Sequence, residues 1–497
     1  MKIIKNIKIA LASGLLLFST SACWELEQEV LTGIPQENLI ITDELIEVLK
    51  QSAYGSVSVG GSWGGHDGIY AVQEVSSDEM AIPQKGADWE DGGIWLRTHR
   101  HTWLAVDGPY NNAWGYCFGI VGETNNLLVQ FPDIPELAAE MKILRALAYL
   151  WLIDNFGNVP IITETSLGSI PQSPREEVFA FIEESILENV DVLTRDNVRI
   201  NLNYWTAHMI LAKLYLNAEV YTGNARWADA ERILDVIINE GPYSLAPNFF
   251  ANFVTNNANS PENMFTLPYD SNNNGGFNIH QMSFHYGNQQ TFELQEQPWN
   301  GYAALEEFYN SFDDGDVRKG SLREGPQFQS DGITPVIDDA YDGDPDGPEL
   351  VFTPQINELA PNAFRQAGTR VNKFEIQLGA GPDLNNDFPV FRYADVLLMK
   401  AEAAWRQGNN AVALQFVNQV RERANVPNLT TLDANTLLAE RGREMFAEGW
   451  RRSDLIRFGR FNQPWWEKGT SQPFRNIFPI PLNVIQANPI YQQNPGY

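Results

Sequence analysis

Apolar residues recur three to four positions apart along much of the chain, a spacing that predicts helices. The first covers 43–54, where Leu45, Ile46 and Leu49 share a face. Two more cover 113–130 and 135–155. In the second, Leu137, Met141, Leu144, Ala148 and Leu152 form one stripe, and Pro135 suits a first turn that needs no N–H donor. Phe156-Gly157-Asn158-Val159-Pro160 ends that helix, and Pro174 opens another through Phe181, Ile182, Leu187 and Leu193.

A helix hairpin is predicted at 203–221 and 225–239, turned by Thr222-Gly223-Asn224. Its small residues Ala207, Ala212 and Ala218 alternate with Leu211, Leu214 and Tyr215, which lets the helices approach closely. Segments 393–407, 409–423 and 431–451 repeat the design. Ala401-Glu402-Ala403-Ala404-Trp405-Arg406-Gln407-Gly408-Asn409 has the form of a tetratricopeptide junction, alanines at the contact and Gly-Asn at the turn.

Two regions lack the period. Residues 55–110 are dense in Gly, Trp, Asp and His, and 241–390 in Asn, Gly, Asp and Pro. The second is far too long for a simple connection, so an inserted lobe with few regular elements is expected. The predicted fold class is mostly α: a tetratricopeptide-like helix-pair scaffold (about 36–54, 111–240 and 391–460) with loop-rich regions at 55–110, 241–390 and 461–497. Binding groups usually sit on irregular segments held by a rigid frame.

The first residues read as an address. Lys2, Lys5 and Lys8 precede an apolar run over 9–18, and Ser19-Thr20-Ser21-Ala22 leads to Cys23. That run is too short for a transmembrane helix, which needs about 20 residues. Cleavage after residue 22 and lipidation of Cys23 are expected, although Thr20 stands where such signals prefer Leu. The mature unit is then 23–497, beginning with an acidic tether over Trp24-Glu25-Leu26-Glu27-Gln28-Glu29.

The 497 residues include 34 Lys and Arg against 63 Asp and Glu, a formal charge of −29. Such a polyanion repels nucleic acid, and a 12% aromatic content argues against disorder. Two cysteines, Cys23 and Cys117, exclude a disulfide framework.

Several long motifs now carry a resemblance. Asp387-Phe388-Pro389-Val390-Phe391-Arg392-Tyr393-Ala394-Asp395-Val396-Leu397-Leu398-Met399 precedes the alanine-rich helix, and Glu440-Arg441-Gly442-Arg443-Glu444-Met445-Phe446-Ala447-Glu448-Gly449-Trp450-Arg451-Arg452-Ser453-Asp454-Leu455 follows it. With Ser77-Asp78-Glu79, Phe156-Gly157-Asn158-Val159-Pro160, Pro479-Ile480-Pro481, Asn488-Pro489 and Asn494-Pro495-Gly496-Tyr497, the chain resembles the SusD-like (RagB/SusD) family of outer-membrane glycan-binding lipoproteins. The resemblance implies a surface lid on a SusC-like, TonB-dependent transporter that captures oligosaccharides for uptake, without catalysis. Within these motifs Arg392 and Asp395, and Arg441, Glu444, Glu448 and Arg451, lie three or four apart; helix-face ion pairs with a structural role are expected.

A glycan receptor needs exposed aromatic plates beside hydrogen-bonding side chains. One sugar face on one ring is worth about 1–2 kcal/mol at ~25 cal/mol/Å². Two or three plates, after association costs, give roughly millimolar to 10 μM affinity. Two aromatic concentrations qualify. One is Trp63, Tyr70, Trp89, Trp95 and Trp103 among Asp67, Asp88, Asp91 and Arg97; the other is Phe284, Tyr286, Trp299, Asn300 and Tyr302 near Gln289 and Gln290. Trp299 leads, because Pro298 and Asn300-Gly301 form a turn that lifts the ring outward. Trp89, Trp95, Trp63, Tyr286, Tyr302 and Asn300 are the other expected glycan contacts. Trp114 and Trp151 fall in apolar helix patterns and are expected in the core, while Trp465-Trp466 either pack on the scaffold or face the transporter.

Asp342-Gly343-Asp344-Pro345-Asp346-Gly347 has the start of a calcium loop, with Asp342, Asp344 and Asp346 as hard oxygen ligands, but Thr353 stands where such loops carry Glu. A solvated acidic turn is the competing reading. His99, His101 and Asp107 lack a fourth metal ligand, so structural roles are expected. No local motif marks a nucleophile or nucleotide site. A surface glycoside hydrolase, or a receptor for peptide or protein cargo, are the alternatives to glycan capture.

Overall fold

The computed structural model describes residues 40–59, 62–66, 68–165, 168, 170–339 and 347–497. Cys23, Asp67, Asp342, Asp344 and Asp346 lie outside them. The chain divides into two compact units, residues up to Glu47 and Val48–Tyr497. The first helix, α1 (Asp43–Val57), opens where the Thr42 hydroxyl accepts the Leu45 N–H at 3.2 Å, with Asp43 and Glu44 facing the positive helix end.

The remaining long helices are α2 (Gly108–Gln130), α3 (Pro135–Phe156), α4 (Arg175–Leu187), α5 (Tyr204–Leu216), α6 (Trp227–Glu240), α7 (Tyr393–Arg406), α8 (Asn410–Arg423) and α9 (Ala434–Met445). They pack as hairpins, α2 on α3, α5 on α6 and α7 on α8. Although residues 241–392 separate them in sequence, α6 packs directly on α7, so the distant hairpins stack as neighbours. Leu397, Leu398, Ala401, Val417, Val420 and Leu437 form the core between α7, α8 and α9. Asn203 caps α5 through a reciprocal box with Thr206. Trp114 and Trp151 are buried, as their helical spacing predicts.

The inserted lobe is anchored at both ends. Strand Asn263–Leu267 pairs antiparallel with Phe388–Arg392, with Phe388 opposite Leu267 and register shifts on either side of Phe391. Exit and return of the insertion therefore share one ribbon. A small core of Phe284, Val336, Leu350 and Phe352 sits within the lobe and claims Phe284 for packing. Region 55–110 is more ordered than expected, with short helices at Ile69–Val75 and Ile94–His99.

The predicted helix over 431–451 breaks. Helix α9 stops at Met445 and a new one, Arg451–Arg457, starts after a turn with Ala447 at φ 58° and Gly449 at φ 79°. A Cβ on Gly449 would lie 2.3 Å from the Trp63 ring. Carbonyls of the same turn accept from Lys373 Nζ (Glu444 at 3.3 Å, Phe446 at 2.7 Å).

The expected helix-face ion pairs do not form. Arg392 is fully buried and donates from Nε to Glu448 at 2.7 Å, from Nη1 to Glu444 at 3.0 Å, and to Glu262. Arg423 also binds Glu262 and Glu444. Asp395 pairs with Lys213 at 2.5 Å and Arg441 at 3.0 Å, and Arg451 clamps Asp78 with two bonds. The charges are structural, as read, but they join different elements inside the molecule. Burial opposes ionisation of Glu444, yet Arg423, Arg392 and Arg318 hold its carboxyl well below the usual range.

Among the described residues no helix is long and apolar enough to cross a membrane, and no group of His, Cys, Asp and Glu is arranged to hold a metal. His99 bonds the Trp466 carbonyl, His101 bonds Ser76 and Ser471, and Asp107 pairs with Arg97. His99 ends a helix and His101 sits at φ 54°.

Candidate functional site: an aromatic cup between two loops

Two-residue strands bring the two aromatic regions together. Met80 pairs with Ala304 and Ala81 with Ala303, and the Leu305 N–H donates to the Glu79 carbonyl at 2.9 Å. This joins the loop carrying Trp89 to the loop carrying Trp299. The Trp89 indole Nε1 then donates to the Trp299 carbonyl at 2.6 Å, closing a second link further out. Gly301 makes room for it: a Cβ there would lie 2.8 Å from Trp89 Cζ2 and from the Met282 carbonyl oxygen.

An open cavity of about 330 Å³ results, lined by Asp88, Trp89, Asp91, Tyr286, Gln297, Pro298 and Trp299. Its size is near the lower end for small-molecule sites, ~300–1,000 Å³. Trp89, Tyr286 and Trp299 are each partly exposed, so each presents ring surface to it.

The plates are held by fixed neighbours. The Tyr286 hydroxyl donates to the Asp88 carboxylate. Burial, reinforced by that carboxylate, pushes its phenol well above the ordinary range, so the proton stays on the donor. Behind the ring, the Arg365 guanidinium stacks 4.4 Å from its centroid and donates to Asp338 at 2.9 Å. His66 meets Trp299 edge-on, ring centroids 5.2 Å apart. The backbone here is unusual: Trp89, Asp91 and Asn300 all have positive φ, a concentration of strain typical of functional loops.

Other expected plates are structural. Trp63 is 1% exposed and packs against Trp151, Phe388 and Trp450. Tyr302 is 0% exposed and donates to the Gly65 carbonyl at 3.0 Å. Tyr70 and Trp103 are likewise sealed inside. Trp95 is 5% exposed, and its Nε1 binds Asp91 at 2.9 Å, supporting the rim from beneath. Asn300 is also buried; its amide nitrogen donates to the Arg365 carbonyl at 2.7 Å and its oxygen accepts from Arg370 at 2.9 Å. It locks the turn beneath Trp299. Gln289 turns back to the Leu294 carbonyl.

Sequence reasoning missed Gln297, His66 and Arg365. Gln297-Pro298 adjoins Trp299 and was legible as part of its turn; nothing in the sequence announces that Arg365 lies behind Tyr286. A larger cavity, about 610 Å³, lies between α2, the segment after Pro160 and the carboxyl-terminal segment, with Trp114, Phe118 and Tyr491 in its wall. It lacks the pinned, strained loops of the cup.

Comparison with known proteins agrees with this architecture. Residues 381–497 match the SusD family. The starch-binding protein SusD of Bacteroides thetaiotaomicron is 28% identical over 404 residues, covering 72% of each chain. A SusD-like protein of Formosa agariphila is 23% identical over 415 residues, 73% of each chain. Among solved structures, a SusD superfamily protein from Parabacteroides distasonis superposes with a TM-score of 0.73 at 20% identity, covering 92% of this chain and all of the other. Surface glycan-binding protein A from Bacteroides thetaiotaomicron, in complex with laminarihexaose, gives 0.71 at 18% identity, covering 91% and 100%. The mostly helical fold is shared with these solved structures. The carboxyl-terminal match and the SusD and SusD-like relatives agree with the resemblance that the long motifs carry.

Proposed function

We propose that this protein is a cell-surface receptor that binds oligosaccharide chains in the Trp89–Tyr286–Trp299 cup without cleaving them. The supporting observation is the cup itself: three partly exposed rings, from two loops cross-linked at Met80–Ala304 and Trp89–Trp299, around about 330 Å³ of open space. Ring faces cover the C–H faces of sugars, while Asp88, Asp91 and Gln297 accept from hydroxyls. Both carboxylates already accept bonds from the site's own side chains, Asp88 from Tyr286 in the wall and Asp91 from Trp95 beneath the rim. Their roles as braces and acceptors suit retention better than proton transfer to a glycosidic oxygen. The starch-binding relative and the laminarihexaose-bound neighbour support the same class of cargo.

Lipidation at Cys23 would tether the receptor to the outer membrane, and a SusC-like TonB-dependent transporter would accept its cargo. The test is affinity electrophoresis over immobilised polysaccharides, with Trp299→Ala and Trp89→Ala beside the natural protein, and a peptide array in parallel. Retardation by a polysaccharide that both variants lose supports the reading. Retention of peptides alone, or release of shorter sugars, overturns it. Co-purification of a barrel partner tests the transport step.

A further inference from the structure

The charged groups that face the cup are acceptors. Asp88 and Asp91 are both exposed on its wall, and each has one carboxylate oxygen engaged, by Tyr286 and by Trp95. The third wall group, Gln297, is an amide. Glu90, between the two aspartates, is exposed as well.

The nearby cations are turned away or engaged. Arg365 lies behind the Tyr286 ring and donates to Asp338. Lys85 Nζ is spent on the carbonyls of Pro83 at 2.9 Å and Asn300 at 2.8 Å, and burial drives its ammonium well below its ordinary range. Arg370 is sealed beneath Asn300, with burial lowering its guanidinium to about 9. Arg97 is paired with Asp107 and bonds the Gly92 carbonyl at 2.6 Å. No guanidinium or ammonium among the described residues lines the cavity.

The two carboxylates therefore call for donors from the ligand, and they present it with fixed negative charge. Hydroxyls satisfy both conditions. Carboxylate and sulfate groups satisfy neither, because they only accept and are repelled at close range. We infer that the cup is charge-selective: it takes neutral, hydroxyl-rich glycans and rejects uronate or sulfated chains of the same backbone. This rests on the glycan-receptor reading and names the class of glycan within it.

The test pairs each neutral oligosaccharide of a panel (glucans, mannan, xylan, galactan) with its sulfated or carboxylated counterpart, measured by isothermal titration at low and physiological salt. The expected result is that the neutral member of at least one pair binds and its anionic counterpart is weaker by at least about tenfold, ~1.4 kcal/mol. The gap should shrink at higher salt, and shrink again in a folded Asp88→Asn, Asp91→Asn double variant, whose amide oxygens still accept from Tyr286 and Trp95. Equal or tighter binding of the anionic member overturns the selectivity while leaving the glycan reading in place. A gap unchanged by both salt and the double variant also overturns it. Binding of no member of any pair overturns the receptor reading itself, and the selectivity falls with it.

Discussion

The Trp89 indole nitrogen reaches across a chain separation of 210 residues to donate to the Trp299 carbonyl. The two rings best placed to hold a ligand are thus positioned by each other's loops. Their geometry is a property of the pair, and damage to one loop should be felt at the other plate.

Gly301 offers the most economical probe of that coupling. Alanine there meets the Trp89 ring and the Met282 carbonyl, each at 2.8 Å, so the indole must move. We expect glycan affinity to fall about tenfold, with overpacking costing ~1–3 kcal/mol of stability. Titration calorimetry with thermal melting separates the two effects.

Removing plates one at a time should give graded losses. Trp89→Ala, Trp299→Ala and Tyr286→Ala are each expected to lose about 1–2 kcal/mol of binding, roughly five- to thirtyfold. Trp63→Ala should act differently, destabilising the fold by ~3–5 kcal/mol because it empties a packed core position. Equal binding losses with equal melting losses at all four positions would contradict this division.

The buried charge cluster predicts a sharp asymmetry in stability. Arg392→Met leaves Glu262, Glu444 and Glu448 facing one another without their shared cation, at an expected cost of about 3–5 kcal/mol. Arg195→Ala removes an exposed pair with Glu240 and should cost under ~1 kcal/mol. Denaturant unfolding measures both.

Two pH dependences of opposite sign are expected. Burial opposes ionisation of Glu440, but Arg318, Arg443 and Arg421 lower its carboxyl to about 2. Its folded value lies below the unfolded one, so its stabilisation is present above about pH 4.5 and is lost as pH falls toward 2. Burial raises Glu74 to about 8, and Glu79, whose carboxylate oxygens have no hydrogen-bond partner, is raised as well. Glu74 contributes fully below about pH 4.5 and loses that contribution as pH rises toward 8, and Glu79 loses its own in the same direction. Glu79→Gln should therefore gain on the natural protein as pH rises, a difference readable from melting temperatures across that interval.

The helical frame was legible because apolar periodicity survives wherever a helix faces one core; Leu137 to Leu152 announces α3 without help. The break after Met445 was not, because the groups that pack on its turn, Trp63 and Lys373, come from distant parts of the chain. Arg392, Glu444 and Glu448 show the same limit. A spacing of three or four suits a helix-face pair and a buried cross-link equally, and only packing distinguishes them. At the cup, composition located the two loops but could not sort Trp89 from Trp63, since both are tryptophans among glycines. The ladder that joins the loops is Met80-Ala81 on Ala303-Ala304, a sequence with no strand signal.

The most direct test is a crystal structure of the protein soaked with a neutral oligosaccharide that it retains. The account predicts sugar density against Trp89, Tyr286 and Trp299, with hydroxyls donating to Asp88 or Asp91. Density in the larger cavity beside Trp114 and Tyr491, with the cup empty, would contradict it.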